Sequence, residues 1–314
     1  MNESNRKNSS LPTIFITGVT GFIGQHFQRK LAKKKYQKIF CLVRDPQKLP
    51  ESLAAAANLT VIPGDILETE KYKSAIAESD QVVHLAAATG KFKPNEYFRI
   101  NTEGTRRLVA VCQQAGAPNF LYISSIAAKF SNKYRYYYAL SKLEAEEIVR
   151  QSGLNFAIVR PTIVIGKEAQ VWQSFLKLGL GPFLLMFGNG RVKIQPISVE
   201  DLTNGLLHIL ENGIFNQQLI ELGGPEQLSI EEFIRRLHKM YFQRTRKTLH
   251  LPLGFIIPVL SLLEKPFYSL LPFNVGQLSS FRNDGTAQGN PVFEALKPGM
   301  KTVDEMIQLI ASDG

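Results

Sequence analysis

Tyr138 and Lys142, in the run Y-A-L-S-K, stand four residues apart. On a helix that spacing stacks both side chains on one face. An ammonium beside a phenol stabilises the phenolate and draws the tyrosine pKa towards neutrality. Such a tyrosine can protonate a carbonyl oxygen during reduction, or take the proton of an alcohol during oxidation. Tyr134, Tyr136 and Tyr137 stand beside it, but none has a lysine four residues later. Upstream, Ser125 closes Y-I-S-S and offers a hydroxyl to the same substrate oxygen, with Ser124 as the fallback. Each residue also has a plainer reading. An isolated Tyr–Lys pair is more often a surface contact, and a serine at a strand end often only makes a turn.

A second constellation suits phosphates. Gly18, Gly21 and Gly24 punctuate T-G-V-T-G-F-I-G, Thr17 to Gly24, directly after an apolar run and at the opening of an amphipathic one. In that setting Gly18 permits a sharp turn, Gly21 admits the pyrophosphate to the backbone, and Gly24 allows close helix–strand packing. The free N–H groups and positive end of the helix then face the phosphates, with Thr20, Phe22 and Ile23 in the same turn. A plain glycine turn is the alternative. Where an NAD site carries an acid at the end of the second strand, this chain reads V-R-D-P, with Arg44 first and Lys48 shortly after. A guanidinium binds a 2′-phosphate that a carboxylate would repel, so the expected cofactor is NADP(H). Asp45 is adjacent and could play the acid's part, which keeps NAD open. Asp65, with Ile66 in P-G-D-I-L, could accept from the adenine amino group or simply make a turn.

These residues need elements to hold them. Apolar runs at Thr13–Thr17, Lys38–Val43, Leu59–Pro63, Gln81–Ala86, Asn119–Ser125 and Asn155–Pro161 read as buried strands. Helical patterns over Gly21–Lys34, Asn95–Ala115 and Tyr138–Gln151 alternate with them. Continuous apolar strands alternating with helices predict an α/β fold, a doubly wound parallel sheet covered on both faces. After Pro161 the regularity falls. Val192–Leu202 reads as a strand running into a helix, Gln218–Pro225 as another strand, and Ser229–Gln243 as a helix with a capping pattern at Ser229 and Glu232. The expected organisation is a disordered lead-in over 1–10 and a nucleotide-binding domain over 11–225 with a substrate-side insertion near 166–191. A C-terminal substrate or lid lobe occupies 226–314.

The 314-residue chain carries 37 Lys and Arg against 27 Asp and Glu, a net charge of +10. No nucleic-acid-binding motif accompanies the charge, so nucleic acid is not an expected partner. No metal-ligand spacing occurs either. Cys41 and Cys112 sit singly in apolar runs, which suits a reducing, cytoplasmic compartment. Residues 1–10 lack the apolar core of a signal peptide. Segment 251–273 is very apolar, but Pro258, Glu264, Lys265 and Pro266 interrupt it before about 20 apolar residues accumulate. It reads as a hydrophobic lid, as a peripheral membrane contact, or as ordinary packing of the small lobe.

Taken together, the glycine turn, H-L-A-A (His84 to Ala87), N-T-E-G-T (Asn101 to Thr105), Y-I-S-S, Y-A-L-S-K and R-P-T-I-V-I-G (Arg160 to Gly166) occur in an order that resembles the short-chain dehydrogenase/reductase superfamily, in its extended, epimerase-like branch. The resemblance runs from Leu11 to about Pro225. It implies a Rossmann-type sheet, with Leu85, Ala86 and Ala87 lining the cofactor, Asn101 near the active site, and Pro161 to Ile163 beside the nicotinamide. Ser125, Tyr138 and Lys142 would carry the proton chemistry, and His84 would be a satisfied strand histidine. The basic end of the second strand and the proline-broken tail look most like the NDUFA9-like subgroup, related to an accessory subunit of respiratory complex I. The resulting expectation is an NADP(H)-dependent oxidoreductase acting on a small, hydrophobic carbonyl or alcohol substrate such as a quinone, isoprenoid or steroid-like molecule. Its rivals are an NAD-dependent nucleotide-sugar epimerase or dehydratase and a non-catalytic NADP-binding subunit of a membrane-associated assembly.

Overall fold

The computed structural model describes residues 11–49, 57–116, 118–181, 183–243, 246–267 and 274–312. The expected lead-in over 1–10 and the end of the apolar segment, 268–273, lie outside them. Strands β1 (Thr13–Thr17), β2 (Lys38–Val43), β3 (Leu59–Pro63), β4 (Gln81–His84), β5 (Asn119–Ile123), β6 (Phe156–Pro161) and β7 (Gln218–Leu222) form one sheet in the order β7-β6-β5-β4-β1-β2-β3. Every pairing in it is parallel. The order reverses between β1 and β4, and ligands of such sheets bind beyond the carboxyl ends of the strands at that point.

Both faces are covered, which is why the strands are apolar without alternation. On one face α1 (Phe22–Leu31) packs against the later helix Val199–Glu211, sealing Ile14, Ile16 and Val159. On the other, α2 (Gly104–Gln114) and α3 (Tyr137–Arg150) cover Phe15, Val82, Phe120 and Ile158. Beyond β6 come α4 (Gln170–Gly179), α5 (Val199–Glu211), α6 (Ile230–Phe242), α7 (Leu253–Phe267) and α8 (Val303–Ser312). A third core joins α4, α6 and α8 through Trp172, Phe175, Phe233 and Met306. The segment near 166–191 and the C-terminal part thus share one packed unit. Val292, Phe293 and Met300 instead pack into the first core, under the sheet.

Four local features differ from the sequence reading. The helix expected over Asn95–Ala115 is broken into a turn at Pro94–Tyr97, a π-helical turn at Phe98–Glu103, and α2. Strands β4 and β5 end at His84 and Ile123, short of the expected Ala86 and Ser125, although Leu85 N and Ser124 N still donate to Thr17 O and Val159 O of the neighbouring strands. Val192–Leu202 holds two short pieces, Lys193–Ile194 and Ile197–Ser198, separated by Pro196, which cannot donate to a ladder. Finally, Leu253–Phe267 forms a helix, α7, where the sequence reading named none.

Candidate active site

The glycine turn follows β1 at the point where the strand order reverses. Gly18 has φ +77°, and a Cβ there would lie 2.4 Å from the Ala86 nitrogen. Any side chain would therefore force β1 and the end of β4 apart. At Gly24 a Cβ would meet the Gly18 oxygen at 2.1 Å, so the helix lies against the turn that feeds it. Gly21 caps α1 without a side-chain hydrogen bond, and the first turn of α1 holds no acid. Backbone N–H groups and a positive helix end are thus left for an anion. These features fit a dinucleotide. Thr20 and Phe22 flank the turn half-buried, and Ile23 packs on the first core.

Leu85, Ala86 and Ala87 follow β4 half-buried; Leu85 N donates to Thr17 O, and Ala86 N to Thr17 Oγ1 at 3.2 Å. Arg44 is exposed directly beyond β2. Asp45 accepts from Gln47 N at 3.2 Å as the cap of the turn Pro46–Lys48, and its other oxygen lies 3.4 Å from Lys48 Nζ. The acid that might have held a ribose hydroxyl is engaged in its own turn. Asp65 also makes a turn, accepting from Leu67 N at 3.0 Å, while Ile66 is buried.

The Tyr–Lys pair sits on α3, at the edge of β5. Ser125 caps the turn Ile126–Lys129 by accepting from Ala127 N, and its hydroxyl is near enough to Tyr138 to draw the phenol's pKa down. Ser124, the fallback, points away and donates to Glu146 Oε1 at 2.5 Å. Lys142 is 1 % exposed. Its Nζ donates to Ile123 O at 2.6 Å and lies 4.3 Å from the centre of the Tyr122 ring. Burial lowers the Lys142 pKa to about 7, with Glu146 pulling it back up.

This corrects one expectation from the spacing. The Tyr138 pKa is raised, because burial outweighs the Ser125 hydrogen bond that draws it down. The Lys142 ammonium is turned towards a carbonyl and a ring rather than the phenol, so it does not bring the tyrosine towards neutrality.

Asn101 lies in the π-helical turn, 1 % exposed. Its Oδ1 accepts from Ala88 N at 2.7 Å, and its Nδ2 donates to Ser141 Oγ at 2.9 Å. One side chain thereby ties the loop after β4 to the helix that carries Tyr138. His84 bridges Thr17 Oγ1 at 2.7 Å and Thr105 Oγ1 at 2.9 Å. Burial first, then Lys142, lowers its pKa to about 3, so it is a neutral, satisfied strand residue. Pro161 ends β6 buried, with Ile163 half-buried just beyond.

Sequence reasoning missed the support under the site. Glu146, fully buried one turn beyond Lys142, receives both arms of the Arg160 guanidinium at 2.8 and 2.6 Å. Burial pushes the Glu146 pKa up, but the Arg160 and Ser124 hydrogen bonds prevail and hold it below the ordinary carboxylate value. Arg160 lies 3.6 Å from Glu221, which also takes Lys129 at 2.6 Å. The i+4 spacing of Glu146 from Lys142 was visible in the sequence, but its partner lies on another element. The substrate side was also missed. A cavity of about 300 Å³ opens beside Tyr138, walled by Phe92, Tyr97, Tyr136 and Tyr137, with Arg135 and Glu264 at its polar end. The rings of Tyr97 and Tyr136 lie 6.2 and 6.0 Å from that of Tyr138. Among the described residues no cluster of ligands could hold a metal ion.

A glycine cradle at the reversal of a parallel sheet, with a serine and a tyrosine–lysine helix on its flank, defines the extended short-chain dehydrogenase/reductase fold. A profile described as the NAD dependent epimerase/dehydratase family matches residues 14–223. The chain belongs to that family, whose members are enzymes of the NAD(P)-dependent oxidoreductase type. It is 26% identical over 259 residues to a 3-beta-hydroxysteroid dehydrogenase of Mycolicibacterium neoaurum, covering 72% of this chain and 69% of that one. It is 25% identical to the NADH dehydrogenase [ubiquinone] 1 alpha subcomplex subunit 9 of Dictyostelium discoideum, covering 71% of this chain and 61% of the relative, in keeping with the NDUFA9-like subgroup. Among solved structures, the dTDP-glucose 4,6-dehydratase DesIV of Streptomyces venezuelae, with NAD bound, superposes with a TM-score of 0.71 at 18% identity, covering 95% of this chain and 96% of that one.

Proposed function

We propose that the protein is an NADP(H)-dependent reductase or dehydrogenase acting on the carbonyl or alcohol of a small, hydrophobic molecule. The observation that carries this reading is Tyr138, beside Ser125 at the wall of an aromatic cavity, with Lys142 one turn behind it. Bound NADP(H) would supply or accept the hydride. Tyr138 would donate its proton to the substrate oxygen, and its raised pKa keeps it protonated for that task. Ser125 would orient the same oxygen, and Lys142 would hold the cofactor ribose. Gly18, Thr20, Gly21, Phe22, Ile23 and Gly24 would cradle the pyrophosphate, with Asp65 and Ile66 at the adenine and Leu85, Ala86, Ala87, Asn101, Pro161 and Ile163 along the remainder. Arg44 and Lys48 would take the 2′-phosphate, since Asp45 is committed to its turn. The unit built from 166–191 and the C-terminal part would form the substrate side. An aromatic wall suits a flat apolar molecule, and the steroid named for one relative is such a molecule. The reading also includes peripheral contact with a membrane through 251–273.

Native mass spectrometry of the purified protein, followed by NADPH oxidation with a panel of apolar ketones, tests the reading. Bound NADP and turnover of an apolar ketone are expected. Retained NAD with turnover of a nucleotide sugar would overturn it, and stoichiometric NADPH binding without turnover of either panel would favour a scaffold.

A further inference from the structure

Nine exposed large hydrophobic residues of the described chain fall within Phe183 and the stretch 240–263. Helix α7 contributes most. Its inward face, Leu253, Ile256, Ile257 and Leu260, packs with Val275 and Leu278 in a core of its own. A helix lying on a protein surface should then show a polar outer face. Among the side chains described, the exposed positions of α7 are Gly254, Phe255, Pro258, Val259, Leu262 and Leu263, none of them polar. Phe255 is 75% exposed and Leu262 78% exposed.

The surface continues past the helix. The strand Thr248–Leu251, just ahead of α7, pairs in parallel with Leu184–Phe187. Leu184 and Met186 point into the third core. Period-2 alternation therefore turns Phe183, Lys247 and Leu249 to the opposite side, and all three are exposed. From Lys239 to Leu263 the sequence has Lys239, Arg244, Arg246 and Lys247 and no Asp or Glu. Of the acids near this stretch, Glu231 pairs with Arg235 and with His250 of the strand, and Glu264 with Val275 N and, at 3.7 Å, Arg135. Basic side chains beside exposed aromatic and aliphatic ones are complementary to an anionic lipid surface, which offers negative headgroups above an apolar layer. No helix among the described residues is long and apolar enough to cross a membrane.

We infer that the outer face of α7, with Phe183, Leu249 and the basic residues Lys239 and Lys247, is a docking surface for an anionic lipid bilayer, on which α7 lies in the plane of the interface. The docking rests on and deepens the peripheral-contact part of the proposed function, and stands apart from its hydride-transfer part. Only its consequence rests on the latter: since α7 also carries Glu264 at the cavity beside Tyr138, docking would bring the cavity wall to the lipid boundary.

Flotation of the full chain with vesicles tests this, using phosphatidylcholine alone and an equimolar mixture with phosphatidylglycerol. The wild type should float with the mixed vesicles and far less with the neutral ones. The double substitution Phe255→Ser and Leu262→Ser, at exposed positions, should keep the circular dichroism spectrum and weaken partitioning at least about tenfold. Lys239→Glu with Lys247→Glu should remove the preference for anionic vesicles, each position contributing about fivefold. Failure of the wild type to float, or equal flotation of the serine double variant, would overturn the proposal. So would wild-type self-association in lipid-free buffer that the serine variant abolishes, because the face would then be an interface between two copies.

Discussion

The ground beneath Tyr138 and the outer face of α7 treat polar groups in opposite ways. Under Tyr138, charged groups are buried and bonded: Glu146 takes Arg160, Arg150 and Ser124, and Lys142 takes the Ile123 carbonyl. On α7 the outward positions carry apolar side chains in solvent. Burial without partners is costly for charge, and exposure without partners is wasteful for apolar surface. The first region has been closed by its own chain, which is what holding a proton donor in place requires. The second has been left for something else to close. Chemistry and docking are thus separated across the width of the cavity, which Glu264 of α7 lines.

The sharpest way to break the chemical half of this contrast is Tyr138→Phe. Removing the proton donor should lower kcat by roughly 10²–10⁴-fold while leaving NADPH affinity nearly unchanged, because the tyrosine hydroxyl works on the substrate oxygen. Steady-state kinetics beside a fluorescence titration of NADPH measure both. Full activity in the variant would end the mechanism.

Next is the support beneath it. Glu146→Ala would strand Arg160 in a buried site, and breaking a buried pair from one side costs about 3–5 kcal/mol. Urea unfolding of the variant should show that loss in the midpoint. A change under about 1 kcal/mol would mean water reaches Arg160 and that the network is less closed than its geometry indicates. The same loss from substitutions on the outer face of α7 would erase the contrast, since those side chains touch solvent.

At the cofactor end, Arg44→Asp should shift preference from NADPH towards NADH by about 10–100-fold, the worth of a hydrogen-bonded charge pair plus the new repulsion. Affinities for both nucleotides in wild type and variant decide it. An unchanged ratio would return the second strand's end to Asp45.

The sheet was legible because its signals are local. Six apolar runs with helices between them predicted β1 to β6, and the glycine spacing located the turn before any partner was known. What stayed hidden depends on residues far apart in sequence. Glu146 is unremarkable until Arg160 of β6 reaches it, and the cavity gathers Phe92, Tyr97, Tyr136 and Glu264 from separate segments. The π-helical turn was read as plain helix, since a single inserted bond leaves the apolar periodicity intact. Spacing also misled over Lys142. It placed the lysine on the right face of the right helix, yet said nothing of the Ile123 carbonyl and Tyr122 ring that claim its ammonium.

That last point yields the smallest effect. With its pKa lowered to about 7 by burial, Lys142 carries its proton below that pH and loses it above. The reductive reaction needs the ammonium to hold the ribose, so kcat/KM should fall as pH rises through about 7. Tyr138 cannot be the source of this limb, because burial raises its own pKa above that of an ordinary phenol. One pH unit beyond the limb the loss should be about tenfold. Lys142→Arg separates the two groups, since a guanidinium keeps its proton throughout that range. The variant should lose the limb near neutrality even if its overall rate is lower. A limb that persisted unchanged in the arginine variant would transfer the titration to another group and leave Lys142 a purely structural contact beneath the tyrosine.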